Sequence, residues 1–199
     1  MAYKTRERLI EVARQLFVHK GLENTTMNDI ANASEKGRRT IYTYFKNKKE
    51  IYNAVLEHES DTMVLALRRI TESHENPTAK LRNFLQLRLD QGRSIGSSYS
   101  AIKSLFKFDL RRMERIRRLV HDKESALFES IIDQGIADGS FEPSRALLLK
   151  DFAIKCIQGM DLAEIDSESA AEIPDVNSKF IEFIISDITT DNKSNIQTL

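Results

Sequence analysis

Residues 25–50 read TTMNDIANASEKGRRTIYTYFKNKKE, and this stretch decides how the chain folds. Its pattern predicts two short helices joined by a tight turn, followed by the start of a third helix. Thr26 and Asp29 have the spacing of a capping box at the start of the first helix. Asn47 and Glu50 repeat that spacing where the third helix starts. The second helix therefore lies between them.

This second helix, at about residues 38–45, has two chemically different faces. At about 100° per residue, Ile41, Tyr44 and Phe45 share one face and predict packing against a core. Arginine can pair with guanine edges through two hydrogen bonds, and threonine and tyrosine can contact phosphates or a thymine methyl. The outer face therefore suits a DNA reader, although a solvated basic face would have the same composition. Its residues are Arg38, Arg39, Tyr42, Thr43 and Lys46.

Two pairs of residues, one on each side of this helix, have the chemistry of phosphate-binding positions. Thr25 and Thr26 stand at the start of the first short helix, and Lys48 and Lys49 at the start of the third. Free backbone amides at helix starts favour anions. For the threonines, plain helix capping is an alternative, and both roles are compatible.

The rest of the chain also predicts helices. With only three prolines and seven glycines and little β-branched alternation, an all-α fold is expected. Leu9, Ala13, Leu16 and Phe17 form an apolar stripe on a helix that precedes the opening stretch. Further helices are predicted from Pro77, over about residues 99–108, 112–137 and 146–160, and over residues 176–188, where Phe180, Phe183, Ile184 and Ile188 form the stripe.

Charge divides the chain into a basic head and an acidic body. Residues 1–50 hold 11 Lys/Arg against 6 Asp/Glu, whereas residues 51–199 hold 19 against 24. This asymmetry is expected if only the head meets a polyanion.

Several classes of protein are not expected from the sequence. A membrane span needs about 18 consecutive apolar residues, and this chain has no such run. The N-terminus lacks the pattern of a signal peptide, so a cytoplasmic location is expected. Cys156 is the only cysteine, and the four histidines are scattered, so neither a disulfide nor a metal site is expected. There is no catalytic constellation or phosphate-binding glycine loop, so we expect neither an enzyme nor a bound cofactor.

One part of the chain resembles a known family. Residues 5–56 resemble the DNA-binding domain of the TetR family of transcriptional regulators. The matching parts are Ala13 to Phe17 with Gly21, TTMNDIA over residues 25–31 and TIYTYFKNKKEIY over residues 40–52. The match combines residue type, spacing and N-terminal position, but it covers only about a quarter of the chain.

The turn between the two short helices departs from the family pattern. The family usually has alanine-glycine-valine-serine where this chain has residues 34–37, SEKG. Glu35 thus stands in place of the turn glycine, and Lys36 in place of an inward apolar residue. We expect Gly37 to supply the positive φ that the turn needs. Arg39 also occupies a position where the family often has glycine.

The resemblance implies a role for each matching position. Thr25, Thr26 and Lys48 would bind phosphates. Tyr42 and Tyr44 would contact the backbone, with Tyr42 also able to touch a base. Bases or sugar edges would face Arg38, Arg39, Thr40 and Thr43.

The resemblance also implies the organisation of the whole chain. Residues 1–50 would form a three-helix helix-turn-helix domain that binds double-stranded operator DNA. Residues 51–199 would form a helical bundle that dimerises through its last two long helices and binds a small-molecule effector. The expected function is a homodimeric transcriptional repressor released by that effector. The alternative is a helical protein-interaction module whose basic head docks an acidic partner.

Overall fold

The computed structural model describes residues 2–89, 110–152 and 176–190. In these residues the chain forms helices and turns, with one isolated antiparallel bridge between Phe141 and Thr189. The all-helical prediction is confirmed. None of the described helices is long and apolar enough to cross a membrane. The helices are α1 (Ala2–Lys20), α2 (Met27–Ala33), α3 (Arg38–Tyr44), α4 (Lys48–Thr71), α5 (residues 77–89), α6 (Leu110–Ala137), α7 (residues 143–152) and α8 (Val176–Ile188).

The chain divides into two compact units, and the first division between them falls inside α4, between Met63 and Val64. The first unit includes α1, α2, α3 and the first part of α4, and the second includes the rest of α4, α5, α6 from Arg117 onward, α7 and α8. The domain division predicted after residue 50 stays a prediction. The predicted helix over residues 99–108, the later part of the one over residues 146–160, and Cys156 lie outside the described residues.

The core of the first unit forms where its helices bury their apolar stripes. The stripe predicted for α1 is confirmed, because Leu9, Ala13 and Phe17 are buried and Leu16 packs against them. The Tyr52 ring of α4 meets Phe17 edge-on, with 5.7 Å between ring centroids. The same cluster also takes up Met27, Ile30, Ala31, Ile41, Phe45, Ile51, Ala54 and Val55.

Both predicted capping arrangements are present. The Thr26 hydroxyl accepts a hydrogen bond from the Asp29 amide at 3.1 Å, and the Thr26 amide donates to the Asp29 carboxylate at 2.8 Å. At α4, the Glu50 amide donates to Asn47 Oδ1 at 3.0 Å. These bonds satisfy amides that a helix start leaves without intrahelical partners, and they fix where α2 and α4 begin.

In the second unit, α5 packs against α6 through aromatic and charged side chains. The rings of Phe84 and Phe128 lie 5.6 Å apart between centroids. Beside them a buried ion pair joins Arg88 Nε to Glu124 Oε2 at 3.2 Å. This layer also contains Lys80, which is buried and donates to a side-chain oxygen of α6.

The connection from α6 to α7 is tied to the end of α8. α6 is followed by Gly139, whose φ of 80° is in the left-handed region that glycine adopts without penalty. Phe141 then folds back, and its amide donates to the Gly135 carbonyl at 2.9 Å. The next amide, of Glu142, donates to the Ile188 carbonyl at 2.8 Å. These bonds hold the start of α7 beside the end of α8.

The predicted bounds of α8 agree with the structure, but its predicted apolar stripe is partly wrong. Phe183 is 69% exposed, and Phe180 is only half-buried. The helix has more apolar residues than one face can hold, so the sequence alone allowed two overlapping stripes. The residues that face inward are Ile181, Ile184, Ile185 and Ile188.

Candidate nucleic-acid interface

The orientation of α3 agrees with its predicted division into two faces. Ile41 is fully buried, and Phe45, the residue that caps the helix, is 4% exposed. Tyr44 is half-buried and packs against the core cluster. On the opposite face, the exposed side chains are those of Arg38, Arg39, Tyr42, Thr43 and Lys46, and Thr40 is half-buried. The structure therefore presents a cationic, hydroxyl-bearing face to solvent.

Thr25 is placed differently from its neighbour. Its side chain is fully buried, and its hydroxyl donates to the Gly21 carbonyl at 2.7 Å and lies 3.3 Å from the Leu16 carbonyl. Thr26 is exposed. The Thr25 side chain therefore fastens the loop before α2 to the end of α1, while Thr26 remains accessible to a ligand.

Lys48 also has a structural role. Its ammonium donates to the Leu22 carbonyl at 2.8 Å and to the Glu23 carbonyl at 3.2 Å. A lysine ammonium has three N–H donors. The side chain thus joins the start of α4 to the loop after α1 and keeps one donor for a further acceptor.

The start of α2 is held by an ion pair that sequence reasoning did not find. Lys20 Nζ lies 2.8 Å from Asp29 Oδ2, and the same oxygen accepts the Thr26 amide. The hydrogen bonds from Lys20 and Thr26 lower the pKa of Asp29 to about 2. Asp29 therefore stays ionised well below neutral pH, with Lys20 beside it as a counter-charge.

The turn between α2 and α3 corrects the prediction for Gly37. The positive φ belongs to Glu35, at 57°, whereas Gly37 has a φ of −64° and caps the start of α3. The Lys36 amide donates to the Ala31 carbonyl and the Glu35 amide to the Asn32 carbonyl. This is the Schellman arrangement at a helix end, which places a left-handed residue at the position of Glu35. The prediction failed because a glycine is not required where backbone hydrogen bonds impose the conformation.

We expect Glu35→Gly to raise the free energy of unfolding by about 1 kcal/mol. A residue with a side chain pays about that much or more in the left-handed region, and glycine does not. Urea unfolding of the purified variants would measure the change. Glu35→Ala is the matched control, because it removes the carboxylate but keeps Cβ, and it should show no such gain. Equal gains in both variants would mean that charge, and not φ, is the cause.

One contact that supports the end of α3 is visible only in three dimensions. The guanidinium carbon of Arg6 in α1 lies 5.6 Å from the centroid of the Phe45 ring at the end of α3. No periodic pattern links two residues so far apart in sequence, so sequence reasoning had no signal for this contact.

Comparison with known proteins agrees with this geometry. Residues 9–55, which span α1 to α4, match the family model described as "Bacterial regulatory proteins, tetR family". The HTH-type transcriptional regulator YfiR of Bacillus subtilis strain 168, itself uncharacterised, is 24% identical over 72% of this chain and 71% of its own length. The "Probable acrEF/envCD operon repressor" of Escherichia coli K12 is 33% identical over 53% of this chain. That match spans only 48% of the repressor's length.

A solved structure extends the likeness to nearly the whole chain. A transcriptional regulator from Saccharomonospora viridis, crystallised in complex with choline, has a TM-score of 0.72. The superposition covers 94% of this chain and 98% of that one, at 18% identity. At this identity the likeness concerns the fold.

Proposed function

Because the chain belongs to the TetR family of DNA-binding transcriptional regulators, we propose that α3 enters the major groove of operator DNA. The observation that carries this proposal is the orientation of α3. Its buried side anchors it in the core, and its opposite side exposes the polar and cationic residues. A recognition helix needs this division, because it must pack by one face and read bases with the other.

We assign the main base contacts to Arg38 and Arg39, at the start of α3. Both are exposed, and an arginine can donate two hydrogen bonds to a guanine edge. Thr43 is exposed one turn later and, with the half-buried Thr40, would meet bases or sugar edges. Tyr42, 45% exposed, would contact the backbone or a base.

Phosphate contacts would position this helix without specifying sequence. Thr26 offers an exposed hydroxyl, and Lys48 has a donor left after its two carbonyl contacts. Tyr44 is half-buried against the core, so only its edge would meet the backbone. We assign the phosphate contact at the start of α2 to Thr26 and not to Thr25, because the Thr25 hydroxyl already donates to a carbonyl inside the protein.

Fluorescence anisotropy tests this proposal directly. The purified protein would be titrated with labelled DNA that flanks its own gene and with scrambled DNA, over a series of salt concentrations. We expect the flanking DNA to bind about 10³-fold more tightly, with affinity that falls steeply as salt rises. If both DNAs bind weakly and equally, a selection from random DNA would decide whether the operator lies elsewhere or the protein reads no sequence. Failure of that selection would favour the protein-interaction alternative.

The second unit would form the dimer through α7 and α8. Four large apolar side chains of these helices are exposed: Leu147 at 52%, Leu148 at 71%, Phe152 at 65% and Phe183 at 69%. Arg145 of α7 pairs with Asp187 of α8 at 3.3 Å, so the two helices are fastened to each other. Exposed apolar surface of this kind marks interaction sites. We assign a second copy of the chain to it, since a dimer reads two operator half-sites.

Replacing Leu148 and Phe183 together with arginine should therefore yield a monomer. Two charges in an apolar interface would be desolvated without partners. Analytical ultracentrifugation would show the change, and operator affinity should fall with it. Leu65→Arg is the control, because Leu65 is 54% exposed on α4. A variant that stays dimeric with both arginines present would place the interface elsewhere.

Repression and release by an effector complete the proposal. The E. coli relative bears the name of a repressor, and the S. viridis protein was crystallised with choline. An effector would release operator DNA only by its greater affinity for the state that does not bind DNA. Deleting the gene in a strain with a reporter on the flanking promoter should raise expression, whereas a fall would indicate an activator.

A further inference from the structure

Arg6 connects α1 to the end of the recognition helix. Its guanidinium carbon lies 5.6 Å from the Phe45 ring centroid, within the range of a cation–π contact. Its Nη1 donates to Glu7 Oε1 at 3.3 Å. The other oxygen of Glu7 lies 3.5 Å from Nδ1 of His58 in α4. The side chain over Phe45 is thus held by a neighbour that also reaches α4.

The end of α3 is held by tertiary packing. α3 has seven residues, so it is too short to be stable without tertiary packing. Ile41 and Phe45 are buried in the core, and Tyr44 packs against it. Phe45 caps the helix in extended conformation, and its amide still donates to the Ile41 carbonyl. The packing of the Phe45 ring therefore contributes to the direction in which the outer face of α3 points.

Arg6 is suited to fixing that ring. Phe45 is 4% exposed, while the Arg6 side chain keeps 42% of its surface in contact with solvent. The arginine therefore lies between the ring and water, and its charge strengthens its contact with the face of the ring.

We propose that Arg6 is a positioning residue for DNA recognition, which holds Phe45 and thereby keeps α3 in its binding orientation. This inference rests on the proposed function of α3. Arg6 acts through Phe45 and not through a contact with DNA. In each subunit of the dimer, the fraction of molecules with α3 in its binding orientation then depends on the Arg6–Phe45 contact.

The test compares Arg6→Gln, Arg6→Lys and Arg8→Gln in the full chain. Arg8 is exposed on the same helix, so its replacement removes the same charge without the ring contact. An exposed cation–π contact corresponds to a factor of about three in an equilibrium. We expect Arg6→Gln to weaken operator binding by up to about tenfold for two heads, with Arg6→Lys recovering most of the loss and Arg8→Gln close to wild type. The salt slope should not change.

Hydrogen exchange of residues 38–46 gives a second measurement that needs no DNA. The exchange rate there should rise about threefold in Arg6→Gln and stay unchanged in Arg8→Gln. Faster exchange together with a wild type that prefers no DNA sequence would support the hold of Arg6 on α3 but reject the proposed function, and with it a role of Arg6 in DNA recognition. Unchanged exchange would overturn the inference. A salt slope that falls by about 0.9 per head in Arg6→Gln would also overturn it, because Arg6 would then bind a DNA phosphate directly.

Discussion

Replacing Arg38 and Arg39 together with alanine is expected to lower operator affinity by at least about 100-fold and to remove most of the preference for operator over scrambled DNA. Each arginine that pairs with a guanine edge contributes about 1–3 kcal/mol of discrimination. A dimer would lose that contribution at both half-sites. Both side chains are exposed, so the fold should remain intact, and circular dichroism with a melting curve would check this.

The control for this variant is a second pair of adjacent arginines. Arg68 and Arg69 are exposed near the end of α4, so alanine at both removes the same charge from another part of the chain. This control should leave the preference for operator DNA unchanged. Equal losses in both variants would indicate attraction by net charge alone, and unchanged affinity in Arg38→Ala/Arg39→Ala would sink the proposed site.

The single variants then separate two kinds of interaction. Replacing an arginine that reads a base should reduce binding to the operator far more than binding to scrambled DNA. Replacing one that binds a phosphate should weaken both by a similar factor and lower the salt slope by about 0.9. Anisotropy over a salt series distinguishes these outcomes for Arg38 and Arg39 separately.

Gly135→Ala is expected to destabilise the second unit by about 2–3 kcal/mol, although Gly135 lies inside α6. Helix propensity alone would predict a gain of about 1 kcal/mol for this change. A Cβ at Gly135, however, would lie 2.1 Å from Cδ2 and 2.3 Å from Cε2 of the Phe141 ring. Phe141 is 1% exposed and also bonded through its amide to the Gly135 carbonyl. Because the ring cannot move without disturbing buried neighbours, overpacking exceeds propensity.

Urea unfolding would measure this effect, and two further variants would assign it. Phe141→Leu is expected to cost stability alone but to recover part of the loss in the Gly135→Ala background, giving a coupling energy in a double-mutant cycle. Gly37→Ala is the control, because a Cβ there meets no atom of a non-neighbouring residue within 4 Å and its φ is −64°, so any loss from this cap position should not depend on Phe141. A net gain of stability in Gly135→Ala would show that the ring yields easily.

The sequence by itself determined the parts of this protein whose information is local. The capping pairs Thr26–Asp29 and Asn47–Glu50 could be read because the partners lie within one helical turn. The two faces of α3 and the stripe of α1 followed from the helical period. The resemblance to the TetR family rested on spacing within a single continuous stretch. All of these signals connect residues a few positions apart.

Only the tertiary structure decided which of several compatible roles each side chain takes. It buried the Thr25 hydroxyl against the end of α1, exposed Phe183, and placed Glu35, not Gly37, in the left-handed conformation. It also brought Arg6 over Phe45 and closed Phe141 onto Gly135. The physical reason is that the sequence pattern alone offers an apolar or hydroxyl side chain several equally favourable partners. Packing of whole helices at fixed distances then selects one of them.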